Sequence, residues 1–259
     1  MAETPKRINV VLVAGGKYHD IDFARLELLK LLAEDERVRV RVFEDYANLE
    51  AIRGADVLVT YTCDVVPSLE QQEALRAWVE GGGRWYALHG TNSILRFLSN
   101  GLVDSPRWAP HLMETLGSQF IAHPPIQPYR VEVAAPGHPL VKGVEPFDAD
   151  DELYLSHYHG ELQVLLDTRF SGEAVGFVDK DWPEARHPVF YVKPLGEGAV
   201  LYLTLGHCRG HHDMGALGMD WYPVVERGSW ALPVFYDLLR RGLDWAKAGA
   251  RTSTSTQPG

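Results

Sequence analysis

Four stretches of the chain run apolar, β-branched or aromatic and then break at once into small or polar residues: NVVLVAGGKYHD (9–20), VLVTYTCD (57–64), GRWYALHGT (83–91) and AVLYLTLGHC (199–208). Near-continuous apolar runs of this length mark strands buried on both faces, as in parallel sheets. Residues 8–14 are the first such strand, and ADVLVTY (55–61) contains the third strand of the chain. Between them, Ile21, Ala24, Leu28, Leu31 and Leu32 recur at helical spacing over about 21–34. RVRVRVF (37–43) alternates strictly, so it is a strand with one polar face, nearer the sheet edge. Ser68, with Gln71 three residues on, opens a helix that Gly81 ends. The βαβαβαβ alternation predicts an α/β fold: a doubly wound, mainly parallel sheet of one domain over 6–248, with right-handed crossovers.

The middle of the chain (100–190) is less regular and rich in proline, and it reads as a strand-rich insertion. YRVEVAA (129–135) is a strand, GHPLVKG (137–143) a turn, and DELYLSHYHGELQVLLDT (151–168) a strand pair. HPVFYVKPLGEGAVLYLTLGH (187–207) reads as a hairpin closed by LGEG. A last helix, about 231–248, has Pro233 in its first turn and buries Leu232, Phe235, Leu238, Leu239 and Trp245. Residues 249–259 are polar, without periodicity, and are expected to be a disordered tail.

In a parallel α/β sheet, ligands bind in the crevice at the carboxyl ends of the strands. That rule brings His19, Asp64, His89 and His207 together, although they lie far apart in sequence. His89 stands at a strand–helix junction, where a following helix would polarise the imidazole for acid or base work. Gly16 lies in a Gly-Gly turn whose backbone could approach a ligand closely, but the pair lacks the G-x-G-x-x-G spacing of a dinucleotide site. Asp20 reads as the N-cap of the next helix. The run Asp148–Asp151 reads as a solvated acidic loop, and Cys63 as a packed residue rather than a nucleophile. His157 and His159 share a face of any strand through YLSHYHG, which suits a metal or a sugar edge equally. HCRGHHDM (207–214) gathers His207, His211, His212 and Asp213, but H-E-x-x-H and C-x-x-C are both missing, so a divalent metal such as zinc is an open option and no cofactor is assigned. Trp221 is a candidate lid residue that would stack on a sugar ring.

The formal charge of −10 argues against nucleic acid, which needs clustered Lys and Arg. No apolar run reaches the roughly 20 residues of a membrane span. MAETPKR leads straight into the first strand without an apolar leader core, and two cysteines make no disulfide framework, so a cytoplasmic protein is expected. Apolar aromatics in 100–125 and 215–235 would suit a homo-oligomer interface.

GGKYHD, GGGRWYALHG, GHPLVKGV, DELY and PVFYVKPLGEGAVLYLTLGH, followed by the helix PVFYDLLRRGLDWA, occur in the order found in ThuA-like proteins. The resemblance runs from about 8 to 248. It implies a class I glutamine-amidotransferase-like, flavodoxin-like fold and a role in sugar metabolism, trehalose or a related disaccharide, through keto-sugars. The partner is then a small-molecule carbohydrate. True amidotransferases carry a nucleophilic cysteine at the turn that His89 occupies here, so glutaminase chemistry is not expected. On this reading His89, His207 and Glu152 are catalytic, exchanging protons with a sugar or keto-sugar, and His19, Gly16, Tyr154, His157 and Trp221 bind it. Glu152 and Tyr154 match the E-x-Y of the family. The alternatives are a metal-dependent hydrolase or isomerase built on the histidines, and a non-catalytic sugar-binding or regulatory protein.

Overall fold

The computed structural model describes residues 6–249, and the tail expected beyond them lies outside that range. In the first part of the chain, β1 (Ile8–Gly16), α1 (Ile21–Leu32), β2 (Val38–Phe43), α2 (Leu49–Arg53), β3 (Val57–Cys63), α3 (Leu69–Glu80) and β4 (Arg84–Leu88) alternate as the periodicity predicts. The local signals are visible in the caps. Asp20 accepts from Phe23 N at the start of α1, and Ser68 and Gln71 form a reciprocal capping box on α3.

The central and C-terminal parts add β5 (Arg96–Phe97), β6 (Val103–Asp104), α4 (Pro110–Leu116), β7 (Ser118–Ala122), β8 (Gln127–Val133), β9 (Phe147–Asp151), β10 (Leu155–Tyr158), β11 (Gln163–Glu173), β12 (Asp181–Leu195), β13 (Gly198–Leu203) and α5 (Pro233–Ala248). One sheet of nine strands runs β2-β1-β3-β4-β13-β12-β11-β8-β9. Its first five strands are mutually parallel, with strictly alternating β2 at the edge. The remaining four pair antiparallel. The fold is therefore mixed α/β, and the expected insertion is largely a continuation of the same sheet. DELYLSHYHGELQVLLDT is not a strand pair: β10 pairs with β7 in a separate small sheet, while β11 enters the large one. The four residues between β10 and β11 have their own backbone path, because Gly160 sits at φ +72° and turns the chain away.

Side chains of β1 alternate between two cores. Val10, Leu12 and Ala14 pack with α1 and α5 on one face, and Val11 and Val13 pack with α2, α3 and α4 on the other. A third apolar cluster, with Phe120, Leu153, Tyr154, Leu155 and Phe177, lies apart from both. No described helix is long and apolar enough to cross a membrane.

Candidate active site

Three neighbouring parallel strands end in a residue forced into the left-handed backbone region: Tyr18 (φ +68°) after β1, Asp64 (φ +58°) after β3 and His89 (φ +42°) after β4. Such non-glycine conformations gather where a site over-determines the backbone. His89 is followed by a single 3-10 turn, His89–Asn92, rather than the α-helix expected from the junction, so no helix dipole acts on it. Its side chain is anchored instead by Nδ1, 2.8 Å from Thr204 O beyond β13. Gly206, at φ +124°, follows two residues later, and an added Cβ there would stand 3.5 Å from His89 Cβ. What calls for glycine there is the φ, which L side chains rarely adopt, and Phe235, whose Cζ would stand 3.2 Å from that Cβ.

Asp151, at the end of β9, corrects the reading of a solvated loop. It is 1% exposed, and its carboxylate accepts from the backbone N–H of Glu152, Gly206, His207 and Ser229 at 2.8–3.0 Å. Asp148 and Asp150 are exposed as expected. This one buried side chain ties the far edge strand to the loop after β13 and so delivers Glu152 to the histidines.

The resulting cluster is His19, His89, Glu152 and His207, all buried. His89 Nε2 lies 2.9 Å from His19 Nε2 and 3.5 Å from Glu152 Oε2. His19 Nε2 is 3.7 Å from the same oxygen, and His207 Nδ1 is 3.1 Å from Glu152 Oε1. On its other side His207 Nε2 donates to Glu226 Oε2 at 2.7 Å, and Glu226 is held in turn by Arg209 (2.7 Å) and the Tyr222 hydroxyl (3.0 Å). Tyr154 Oη stands 3.3 Å from His89 Nε2.

Burial pushes the Glu152 carboxyl up, but the charges of His207 and then His123, with His19 and His207 close against it, outweigh this and hold the group well below the usual carboxylate range. Glu152 is thus ionised although buried. His207 is pushed up to about 9: burial lowers it, and the Glu152 charge, the close approach to Glu152 and the hydrogen bond to Glu226 more than reverse that. Burial lowers His19 to about 4 against the pull of Glu152. Tyr154 is held well above the ordinary phenol value by burial and the Glu152 charge.

A cavity of about 260 Å³ opens over this cluster. Phe97, Phe120, Phe177, Tyr18 and Tyr154 line it, and its polar groups include Ser93, His19, His123, Glu152 and Arg209. His89 and His207 do not line it, and their side chains are fully covered. Two polar groups escaped the sequence reading. His123, with Nε2 3.7 Å from Glu152 Oε1, arrives on a proline-flanked loop after β7 with no periodic signal. Arg209, 3.5 Å from Glu152 Oε1, sits two residues past His207 and was the more findable of the two.

Other expected residues fall elsewhere. Asp64 is taken up by Lys17 Nζ (2.8 Å) and Leu95 N (3.0 Å). Gly16 answers to packing, since an added Cβ would lie 1.8 Å from Cys63 O. Cys63 lines the cavity, but burial raises its thiol well above the usual value, which removes the nucleophilic thiolate. His157 is exposed on β10, outside the cluster, and His159 lies past the end of that strand. Trp221 is 57% exposed and stacks on His211 at 3.9 Å, away from the cavity lining. Of HCRGHHDM only His207 joins the cluster. His211 and His212 bond the carbonyls of Tyr222 and Asp220, and Asp213 accepts from Gly210 N.

The family model described as ThuA, trehalose utilisation, matches residues 9–215. A ThuA-like protein from Bacteroides uniformis aligns over 95% of this chain and 94% of its own, with a TM-score of 0.65 at 17% identity. A second, from Parabacteroides merdae, aligns over 96% and 93%, with a TM-score of 0.61 at 18% identity. A cytoplasmic protein from Salmonella typhimurium aligns over 93% and 98%, with a TM-score of 0.50 at 13% identity. Likeness at such identities concerns the fold alone. No curated protein sequence matches the chain.

Proposed function

Because the chain belongs to the ThuA family of trehalose utilisation, we propose that it is a carbohydrate-processing enzyme acting on a sugar or keto-sugar in the cavity above Glu152. The observation that carries the reading is an ionised, buried carboxylate set among imidazoles on the floor of an aromatic-walled cavity. Phe97, Phe120 and Phe177 offer faces for the apolar side of a sugar ring. A volume of about 260 Å³ is below the roughly 300 Å³ at which drug-sized ligand pockets begin. One ring is therefore the unit enclosed, and the rest of a disaccharide projects outward.

Within that cavity Arg209 donates to a carbonyl or hydroxyl oxygen of the ring and polarises it. Glu152 accepts the proton from the adjacent carbon. Tyr154, whose phenol stays protonated, returns a proton to the oxygen. The fully covered His89 and His207 act behind these groups by fixing Glu152 and Tyr154. This moves the direct acid–base work from the two histidines to the residues that face the ligand. The Salmonella neighbour is named a cytoplasmic protein, and a cytoplasmic location belongs to the same reading.

The test is exchange of deuterium from D2O into sugars and keto-disaccharides, followed by NMR together with product formation. Wild type should exchange the proton next to the carbonyl. Glu152→Gln should lose roughly 100-fold or more of that rate, within the usual span for a general base. His157→Ala should keep it. A Glu152→Gln variant as fast as wild type, or no exchange with any sugar offered, overturns the reading.

A further inference from the structure

We propose that His19, His89, His207 and Glu152 bind one divalent transition-metal cation, of the zinc, manganese or iron class, at the floor of the cavity. The proposal deepens the functional reading, since it concerns the same residues, but it stands on geometry that the sugar chemistry does not supply.

The first argument is tautomeric. His89 Nδ1 lies 2.8 Å from Thr204 O, and His19 Nδ1 lies 3.3 Å from Lys17 O. A carbonyl oxygen only accepts, so in both neutral rings the hydrogen sits on Nδ1. Each Nε2 then carries a lone pair, that of His89 met by the Tyr154 hydroxyl only at 3.3 Å, and the two nitrogens face one another at 2.9 Å. Two lone pairs at that separation repel unless a positive centre lies beside both. The glutamate 3.5 and 3.7 Å away adds further negative charge to the same point.

His207 repeats the pattern with its nitrogens exchanged. Nε2 is 2.7 Å from Glu226 Oε2, and a carboxylate accepts. The remaining Nδ1 is buried, aimed at the cluster, and without a hydrogen-bond partner, because its 3.1 Å approach to Glu152 Oε1 lacks hydrogen-bond alignment. An unsatisfied buried nitrogen is costly, by about 1–3 kcal/mol, and needs an explanation. Every imidazole of the cluster thus has its outer nitrogen fixed by a backbone or carboxylate oxygen and its inner nitrogen directed at the shared point. That is how proteins orient metal-binding histidines. Glu226, itself gripped by Arg209 and Tyr222, completes the carboxylate–histidine arrangement.

The spacing agrees. One donor atom from each of the four residues lies within 4.8 Å of the others, and the closest pairs are separated by 2.9–3.7 Å. Four ligands placed tetrahedrally at about 2.0–2.2 Å from a cation stand roughly 3.4 Å apart. Three imidazoles and one carboxylate, with no thiolate, select borderline divalent transition metals over calcium or magnesium. His19 and Glu152 also reach the cavity, which leaves a side open to a water or a sugar oxygen. His89 and His207, which cannot touch a sugar in the cavity, then have a role beyond fixing Glu152 and Tyr154.

The competing occupant is a proton, with His207 as an imidazolium between Glu152 and Glu226. Elemental analysis of untagged protein purified without chelator separates the two. We expect about one equivalent of a transition metal per chain, and about one Zn2+ or Co2+ rebound after chelation. Glu226→Ala should weaken rebinding roughly 10- to 100-fold. Glu152→Gln, which preserves volume, should fall below about a tenth of an equivalent with an unchanged circular dichroism spectrum, and His157→Ala should bind as wild type. Under about a tenth of an equivalent, with no Zn2+ or Co2+ rebinding by a folded chelated protein, overturns the proposal. If sugar exchange persists in that state, the functional reading survives alone. If metal binds and no sugar is exchanged, the metal proposal stands and the sugar reading falls.

Discussion

The parallel and antiparallel halves of the sheet contribute to one site by different means. β1, β4 and β13 each end within four residues of a cluster histidine, so three parallel strands deliver His19, His89 and His207 from beneath. The antiparallel half delivers Glu152 and Tyr154 from the link that follows β9, and the separate small sheet delivers His123 from the loop after β7. The first half supplies nitrogen donors on rigid strand ends. The second supplies the carboxylate and the walls of the cavity. The comparison teaches that neither half contains a site, and that the chemistry depends on how firmly one is held to the other.

Asp151 is the main clasp, so it gives the largest effect. Asp151→Ala strands four backbone N–H groups that the structure buries, and should cost roughly 3–5 kcal/mol. Thermal unfolding should shift down by roughly 10 °C. A shift below about 2 °C would mean the halves hold together without it.

Charge joins the halves next. In protein freed of any cation, His207 of one half faces Glu152 of the other, and its folded value of about 9 lies above the ordinary 6.5. A raised histidine stabilises fully below the unfolded value and loses that contribution as pH climbs through the folded one. The unfolding free energy of chelated protein, measured in urea, should therefore fall between about pH 6 and 9.5, by an amount on the order of 3 kcal/mol, and Glu152→Gln should flatten the slope. A flat wild-type profile would remove the electrostatic bond between the halves. The smallest effect lies wholly within the parallel half. Ser68→Ala deletes the capping box of α3, far from the cluster, and should lower stability by about 1 kcal/mol with sugar exchange unchanged.

The same division decides what could be read in advance. The parallel strands, α1, α3 and α5 were legible because buried runs, helical spacing and caps are local signals, and the strand-end rule then located His19, His89 and His207. Glu152 and Tyr154 were reached only through the family resemblance, since nothing local distinguishes them from the solvated Asp148 and Asp150. Whether an acidic side chain near a strand end is buried depends on partners 50 residues away or more, as Asp151 shows with Gly206 and Ser229. Histidine density misled in the 207–214 segment, where His211 and His212 serve their own loop. The strand period grouped His157 with His159, but neither reaches the cluster.

Three left-handed residues in a row of adjacent strand ends also set a limit on how far this protein can be made robust. Tyr18, Asp64 and His89 each hold a backbone that costs an L-residue roughly 1–2 kcal/mol. Glycine would remove that cost, and at His89 it would remove with it the imidazole that meets His19 and Glu152. Thermostabilised descendants of this chain should therefore accumulate their changes in the helices and outer loops, while these strand ends stay locally frustrated, keeping the buried cluster at the expense of the melting point.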